Sequence, residues 1–153
     1  TMLADSDAFL ARFARAADQF DEPGTWWTRL TARRDEQPLD LKKLGTFPIV
    51  HGVRSLALQS KVSALSTAER LRSLVDARRL DAELARDLVE ALHFLMGLKL
   101  KNNLAQRQLG QPVDNLVRMS SLSTLERDRL KESLAIVKRF RQHLQQHFTL
   151  GAL

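Results

Sequence analysis

Hydrophobic positions along this 153-residue chain recur at steps of three and four rather than two, and that period divides it into helices. Phe9, Leu10, Phe13, Ala16, Ala17 and Phe20 share one face of a helix predicted over residues 7–20, with Asp5 or Ser6 as its cap. Glu22-Pro23-Gly24 breaks it. Thr25 caps a short helix carrying Trp26, Trp27 and Leu30; adjacent residues point in different directions, so one tryptophan is expected to be exposed. Because a proline pushes its preceding residue away from helical geometry, Pro38 makes residues 33–43 read as an extended connector ending in Leu39-Asp40-Leu41-Lys42-Lys43. Gly45 allows a turn. Pro48 suits a helix start, and Ile49, Val50, Val53, Leu56 and Ala57 continue a stripe that also carries Arg54 to about Ser60.

Leu65-Ser66-Thr67-Ala68-Glu69 is a capping box, in which Ser66 and Glu69 each satisfy a free amide at the start of a helix running to about Ala77. A second box, Ser123-Thr124-Leu125-Glu126, opens the last helix. Between them Asp81 caps a proline-free run over residues 82–109 that Gly110 ends, about 42 Å long at 1.5 Å per residue. Its Leu84, Leu88, Leu92, Leu95 and Leu98 match Leu130, Leu134, Val137, Phe140, Leu144 and Phe148 on the last helix, which is predicted to reach about His147. A linker of about a dozen residues returns the chain antiparallel. The reading is an all-α helical bundle, two long antiparallel helices with several shorter ones, and no period-2 strand or internal repeat.

The composition, 44% hydrophobic and 27% charged, is that of one folded domain, since a disordered chain carries too few apolar residues to offset its ordering entropy. The absence of cysteine removes disulfides, zinc–thiolate sites and a thiol nucleophile, and makes a cytoplasmic setting the expectation. Charges interrupt every apolar run well short of the roughly 20 residues that span a bilayer, so no membrane partner is expected. The net charge of +6 sits in the larger part: nineteen Lys or Arg face eleven acids from Pro38 onward, against five and seven before it. Such a field favours an anionic partner. Nucleic acid is not expected, because aromatics make up only 6% and the phenylalanines lie on core lines.

The residues for catalysis are missing. No G-x-S-x-G or S-x-x-K activates a serine, the six glycines form no phosphate loop, and no D-x-D or E-x-D pair sits on a strand to hold magnesium. His143 and His147 are four apart, as in a two-histidine metal site, but no carboxylate stands between them; surface histidines are the favoured reading, and no metal site is assigned. The end of the long helix is more informative. Lys99, Asn103 and Gln106 fall at helical spacing and are expected to line a polar cleft for an anionic or hydrogen-bonding ligand, although cations there also complement the helix dipole. Asp114-Asn115, after Gly110, reads as a turn.

Taken in order, Leu39-Asp40-Leu41-Lys42, Pro48-Ile49, Arg54, Ala57-Leu58, Leu98-Lys99-Leu100, Gly110-x-x-x-Asp114-Asn115 and Leu122-Ser123-x-x-Glu126-Arg127-x-x-Leu130-Lys131 form a series over residues 39–148. It resembles the nucleotidyltransferase substrate-binding domain, the helical C-terminal module of bacterial signalling proteins. Their preceding parts are typically a cyclic-nucleotide-binding-like domain, paired CBS domains and a nucleotidyltransferase domain similar to that of PII-protein uridylyltransferases. Where the family more often reads Leu-Arg-x-Arg/Lys-x-Gln, this chain has Lys99-Leu100-Lys101-Asn102-Asn103, and Lys99 keeps the charge without arginine's two-pronged grip.

The resemblance implies a chain that is not catalytic alone. Residues 1–37 would form a helical segment joining an upstream nucleotidyltransferase domain, and residues 38–153 the substrate-binding-like domain; a start at Thr1-Met2 fits an excised fragment. The linked domain would supply catalysis with magnesium and a nucleoside triphosphate. Lys42, Arg54, Lys99, Asn103, Gln106, Asp114 and Asn115 become the candidate substrate-binding residues at a shared cleft. The alternative is a regulatory or dimerising module, a homodimer formed through Trp26, Trp27 and the first helix.

Overall fold

The computed structural model describes residues 38–151, with side chains through residue 147. The two helices expected before Pro38, with both tryptophans, lie outside the described residues, as does the side chain of Phe148.

Strand β1 (Leu39–Asp40) passes into a turn of π-helix (Lys42–Thr46) and then α1 (Phe47–Gln59). The extended stretch stops at Asp40 rather than at Lys43. The bias from Pro38 acts on the residue before it, whereas Asp40 Oδ1 accepts hydrogen bonds from the Lys42 and Lys43 amides at 3.0 and 3.1 Å and so starts the helical turn. In that turn the Phe47 amide donates to the Lys42 carbonyl, five residues back. The wider turn gives room to Pro48, whose ring would otherwise press on the carbonyl one turn behind it.

Helices α2 (Thr67–Asp76), α3 (Ala82–Gln108) and α4 (Thr124–Gly151) follow, with strand β2 (Leu116–Val117) and a 3-10 turn (Met119–Ser121) between the last two. Their starts are the caps expected. Ser66 Oγ accepts from the Glu69 amide at 3.1 Å and Asp81 Oδ2 from the Leu84 amide at 3.3 Å. At α4 both arms of the box close, Glu126 N–H to Ser123 Oγ at 3.1 Å and Ser123 N–H to Glu126 Oε1 at 3.0 Å. Three helix ends share one geometry, a residue of positive φ whose successor's amide reaches back to close the last turn: Lys61 (φ 57°), Arg78 (φ 57°) and Gly110 (φ 69°). Only the third is glycine. The helix α4 runs past His147 to Gly151.

The bundle is all-α apart from one ladder that the sequence reading did not include. β1 pairs antiparallel with β2, Leu39 opposite Val117 and Asp40 opposite Leu116, and the Leu41 amide adds a bond to the Asn115 carbonyl at 3.0 Å. Two residues are too few to show a strand period. The core joins Leu88, Ala91, Leu95 and Leu98 of α3 to Leu130, Leu134, Val137, Phe140 and Leu144 of α4, with Leu41, Ile49, Val53 and Leu56 before them. Leu84 and Leu92, expected on the seam, are half-buried, and Ala85 and Ala91 take the buried positions beside them. No helix among the described residues is long and apolar enough to cross a membrane.

Two glycines, seven residues apart, let the first helical stretch press onto the long pair. A Cβ on Gly45 would lie 2.5 Å from Leu95 Cδ1, and one on Gly52 would lie 2.7 Å from Phe140 Cε2 and 2.9 Å from Leu144 Cδ1. Gly52→Val is therefore expected to cost about 1–3 kcal/mol, the usual range for overpacking a core. A fall in the urea midpoint with an unchanged slope would show it, and an unchanged midpoint would refute the close approach.

Candidate functional site

The C-terminal half of α3 carries carboxamides at Asn102 and Gln106, one turn apart, and both grip the segment that leads to α4. Asn102 Nδ2 donates to the Leu116 carbonyl at 2.9 Å. Gln106 makes a two-way contact with Asp114: its Nε2 donates to Asp114 Oδ1 at 2.9 Å, and its Oε1 accepts from the Asp114 amide at 3.2 Å. The Gln106 carbonyl also accepts from the Gln111 amide at 2.8 Å. Asp114 Oδ1 takes a further bond from the Leu116 amide at 3.0 Å, the side-chain turn expected of an aspartate there. Side chain and backbone thus hold residues 110–117 against the helix.

Between helix and loop lies a cleft of about 350 Å³, lined by Pro38, Asn102, Ala105, Gln106, Leu109, Gln111, Asp114, Leu116, Arg118 and Ser121. It lies within the volume range of small-ligand sites, and its lining mixes apolar side chains with polar ones, of which Asn102, Gln106 and Asp114 are held by hydrogen bonds. Among the described residues that line it, Asp114 is the one acid and Arg118 the one cation. The hydrogen bond from Gln106, then that from the Leu116 amide, hold the Asp114 carboxyl below its ordinary value against a smaller opposing effect of burial. The backbone of Arg118 is anchored, its carbonyl accepting from the Ser121 hydroxyl at 2.7 Å and amide at 3.0 Å, while its guanidinium has no ion-pair partner among the described residues.

A second polar group forms on α1. His51 stacks on Phe47 with ring centroids 3.9 Å apart, and its pKa is lowered by burial, then by the charges of Arg54 and Lys42. Those two cations are exposed and enter no ion pair among the described residues. The ion pairs that do form clamp the long helices: Lys101 to Glu126 at 2.9 Å and Arg139 to Asp87 at 2.7 Å.

The structure thus sorts the seven candidates into groups. Gln106 and Asp114 meet in the cleft; Lys42 and Arg54 flank His51; Asn115 supplies a backbone carbonyl to Leu41, next to Lys42. Lys99 and Asn103 are half-buried on α3 and do not line the cleft, and the Asn103 Oδ1 is buried without a hydrogen bond. The amide that shares the cleft with Gln106 is Asn102, one residue earlier. Spacings of three and four both suit a helix face, so only the loop's position distinguishes them. Arg118 carries no sequence signal, because it shares a cleft with α3 only when the loop lies against that helix, whereas the neighbours of His51, namely Phe47, Arg54 and Lys42, come from its own stretch of chain. His143 and His147 stand with ring centroids 6.3 Å apart, and no three metal-ligating side chains come together among the described residues.

A family model for the putative nucleotidyltransferase substrate binding domain matches residues 7–148. The chain belongs to this family. The match extends the motif series toward the N-terminus, from residue 39 to residue 7, and includes both the α3–loop cleft and the Lys42–His51–Arg54 group. Searches of curated proteins and of solved structures found no match. For this substrate-binding domain, the loop's tie to α3 is sensitive to acid in a defined direction. The folded-state pKa of Asp114 is depressed, so its bond to Gln106 persists above the ordinary value of 3.8 and is lost as pH falls through the lower folded value. The Gln106 side-chain amide resonances should titrate below pH 3.8, and Asp114→Asn should abolish the transition. A midpoint at or above 3.8 would contradict the bond.

Proposed function

We propose that this chain is an accessory domain that holds the nucleotide for a linked nucleotidyltransferase domain. That domain, with magnesium, moves a nucleoside monophosphate from a triphosphate to a protein or small-molecule acceptor in a bacterial signal-transduction protein similar to PII uridylyltransferases. The observation that carries this reading is the cleft lined by Arg118, an exposed cation that enters no ion pair among the described residues, together with a carboxylate already committed to Gln106 and the loop. A guanidinium so placed takes a phosphate in two-pronged fashion, while Gln111 and Ser121 offer further hydrogen bonds. Lys42 in the π-turn and Arg54 on α1 add positive potential around His51.

Among the described residues the cleft offers one carboxylate, Asp114, where a paired-carboxylate magnesium site takes two; in this reading the metal sits on the linked domain. This chain's own part is to bind and orient. The longer protein, incubated with magnesium and labelled triphosphate, should label its acceptor, and this chain alone should not. Arg118→Ala in the longer protein should raise KM roughly ten- to a hundredfold, as a hydrogen bond to a charged group is worth about 1.5–3 kcal/mol. Labelling by the 153-residue chain alone, or an Arg118→Ala protein with unchanged KM, would defeat the proposal.

A further inference from the structure

Helix α1 is buried nearly all round, and what it leaves in view is one narrow strip. Of its 13 residues only Phe47, Arg54 and Leu58 are exposed, with His51 half-buried in line with them. Steps of four, three and four residues keep these side chains within about 60° of one another around the helix. The π-turn lengthens the strip. Because the Phe47 amide bonds the carbonyl five residues back, Lys42 falls nearer the Phe47 line than in an α-helix, where five residues advance about 140°. Lys42 and Lys43 are both exposed there, and Lys61 is exposed just past the other end.

Every formal charge on this strip has one sign. Residues 41–68 contain Lys42, Lys43, Arg54 and Lys61 and not one acid. None of the four cations enters an ion pair among the described residues. The acid just before the stretch, Asp40, spends its Oδ1 on the Lys42 and Lys43 amides. Among these cations stand two apolar side chains, Phe47 at 41% and Leu58 at 58% exposure, about 16 Å apart with Arg54 between them. Charge therefore selects an anionic partner, and the apolar pair selects its class. One ring face of Phe47 is taken by His51 at 3.9 Å, and leucine has no face for a base to stack on, so the strip is a poor platform for nucleic acid. Two apolar side chains in single file also fall short of the broad apolar face that enters a membrane surface.

We propose that the outer strip of α1 docks an acidic amphipathic helix of a partner protein. The strip is straight and about 25 Å long from Lys43 to Lys61, the length of nearly five helical turns. The partner helix carries two apolar residues three turns apart for Phe47 and Leu58, with a carboxylate between them for Arg54 and others toward its ends for the lysines. This goes beyond the nucleotide reading and does not depend on it, since Arg118 belongs to the cleft and not to α1.

Fluorescence anisotropy of a labelled helical peptide of alanine and glutamate, with two leucines three turns apart, tests the docking against the full 153-residue chain. The peptide should bind, and binding should weaken as salt rises. Exchanging its leucines for glutamine should weaken binding by about tenfold, as should Leu58→Gln in the chain, since both remove a buried apolar contact. Arg54→Glu, at an exposed position, should also weaken it by about tenfold, and changing the glutamate between the leucines to lysine should restore binding to that variant alone. Absence of binding at about 1 mM chain in low salt would overturn the proposal. So would equal binding of the leucine-free peptide, an Arg54→Glu chain that binds as the wild type does, or a charge reversal that restores nothing. Tighter binding of oligouridylate, or of phosphatidylserine vesicles, than of the peptide would overturn it in favour of nucleic acid or membrane.

Discussion

The pairing of α3 with α4 is the constraint on which the rest of this molecule depends. Among the described residues, ten of the nineteen buried side chains of the apolar core belong to these two helices. The ion pairs Asp87–Arg139 and Lys101–Glu126 sit about 20 Å apart along that seam, near its two ends. Exposed pairs of this kind add at most about 1 kcal/mol each, so packing supplies the strength and the pairs select the register. With the register set, Gly45 and Gly52 bring the first helical stretch down onto Leu95, Phe140 and Leu144.

The cleft is a consequence of how the chain crosses from α3 to α4. The return segment does not swing free: the Gln106 side chain and carbonyl, Asn102 and the two-residue ladder to β1 pin it along the C-terminal half of α3. Polar side chains that would otherwise serve the loop alone then face a common space with Arg118 and Ser121. The bond from the Leu41 amide to the Asn115 carbonyl, next to that ladder, places Lys42 in the π-turn before α1 directly after the loop's anchoring point. Side-chain bonds and backbone pairing together thus position the groups that line the cleft.

That division explains what could be read from the chain in advance. Helix starts were legible because Ser66, Asp81 and Ser123 act on amides within three residues of themselves, and the leucine spacing revealed the seam for the same local reason. Helix ends at Lys61 and Arg78 were less legible, since both adopt the positive φ that glycine usually signals. The ladder joins Leu39 to Val117 across most of the described chain, and no pattern within either dipeptide announces it. Spacings of three and four both fit a helix face, so Asn102 and Asn103 are not distinguished by sequence, and Arg118 carries no local signal because its place in the cleft follows from where the loop lies.

The claim at the centre of this account is that the α3–loop cleft receives a nucleotide through Arg118. Chemical-shift titration of the isotope-labelled chain with each of the four nucleoside triphosphates tests it most directly. At least one of them should shift the Gln106 side-chain amide, the Asp114 amide and the Arg118 Nε–H together, and Arg118→Ala should remove the response. If none moves these resonances, or if the shifts persist in Arg118→Ala, the cleft is not the nucleotide site.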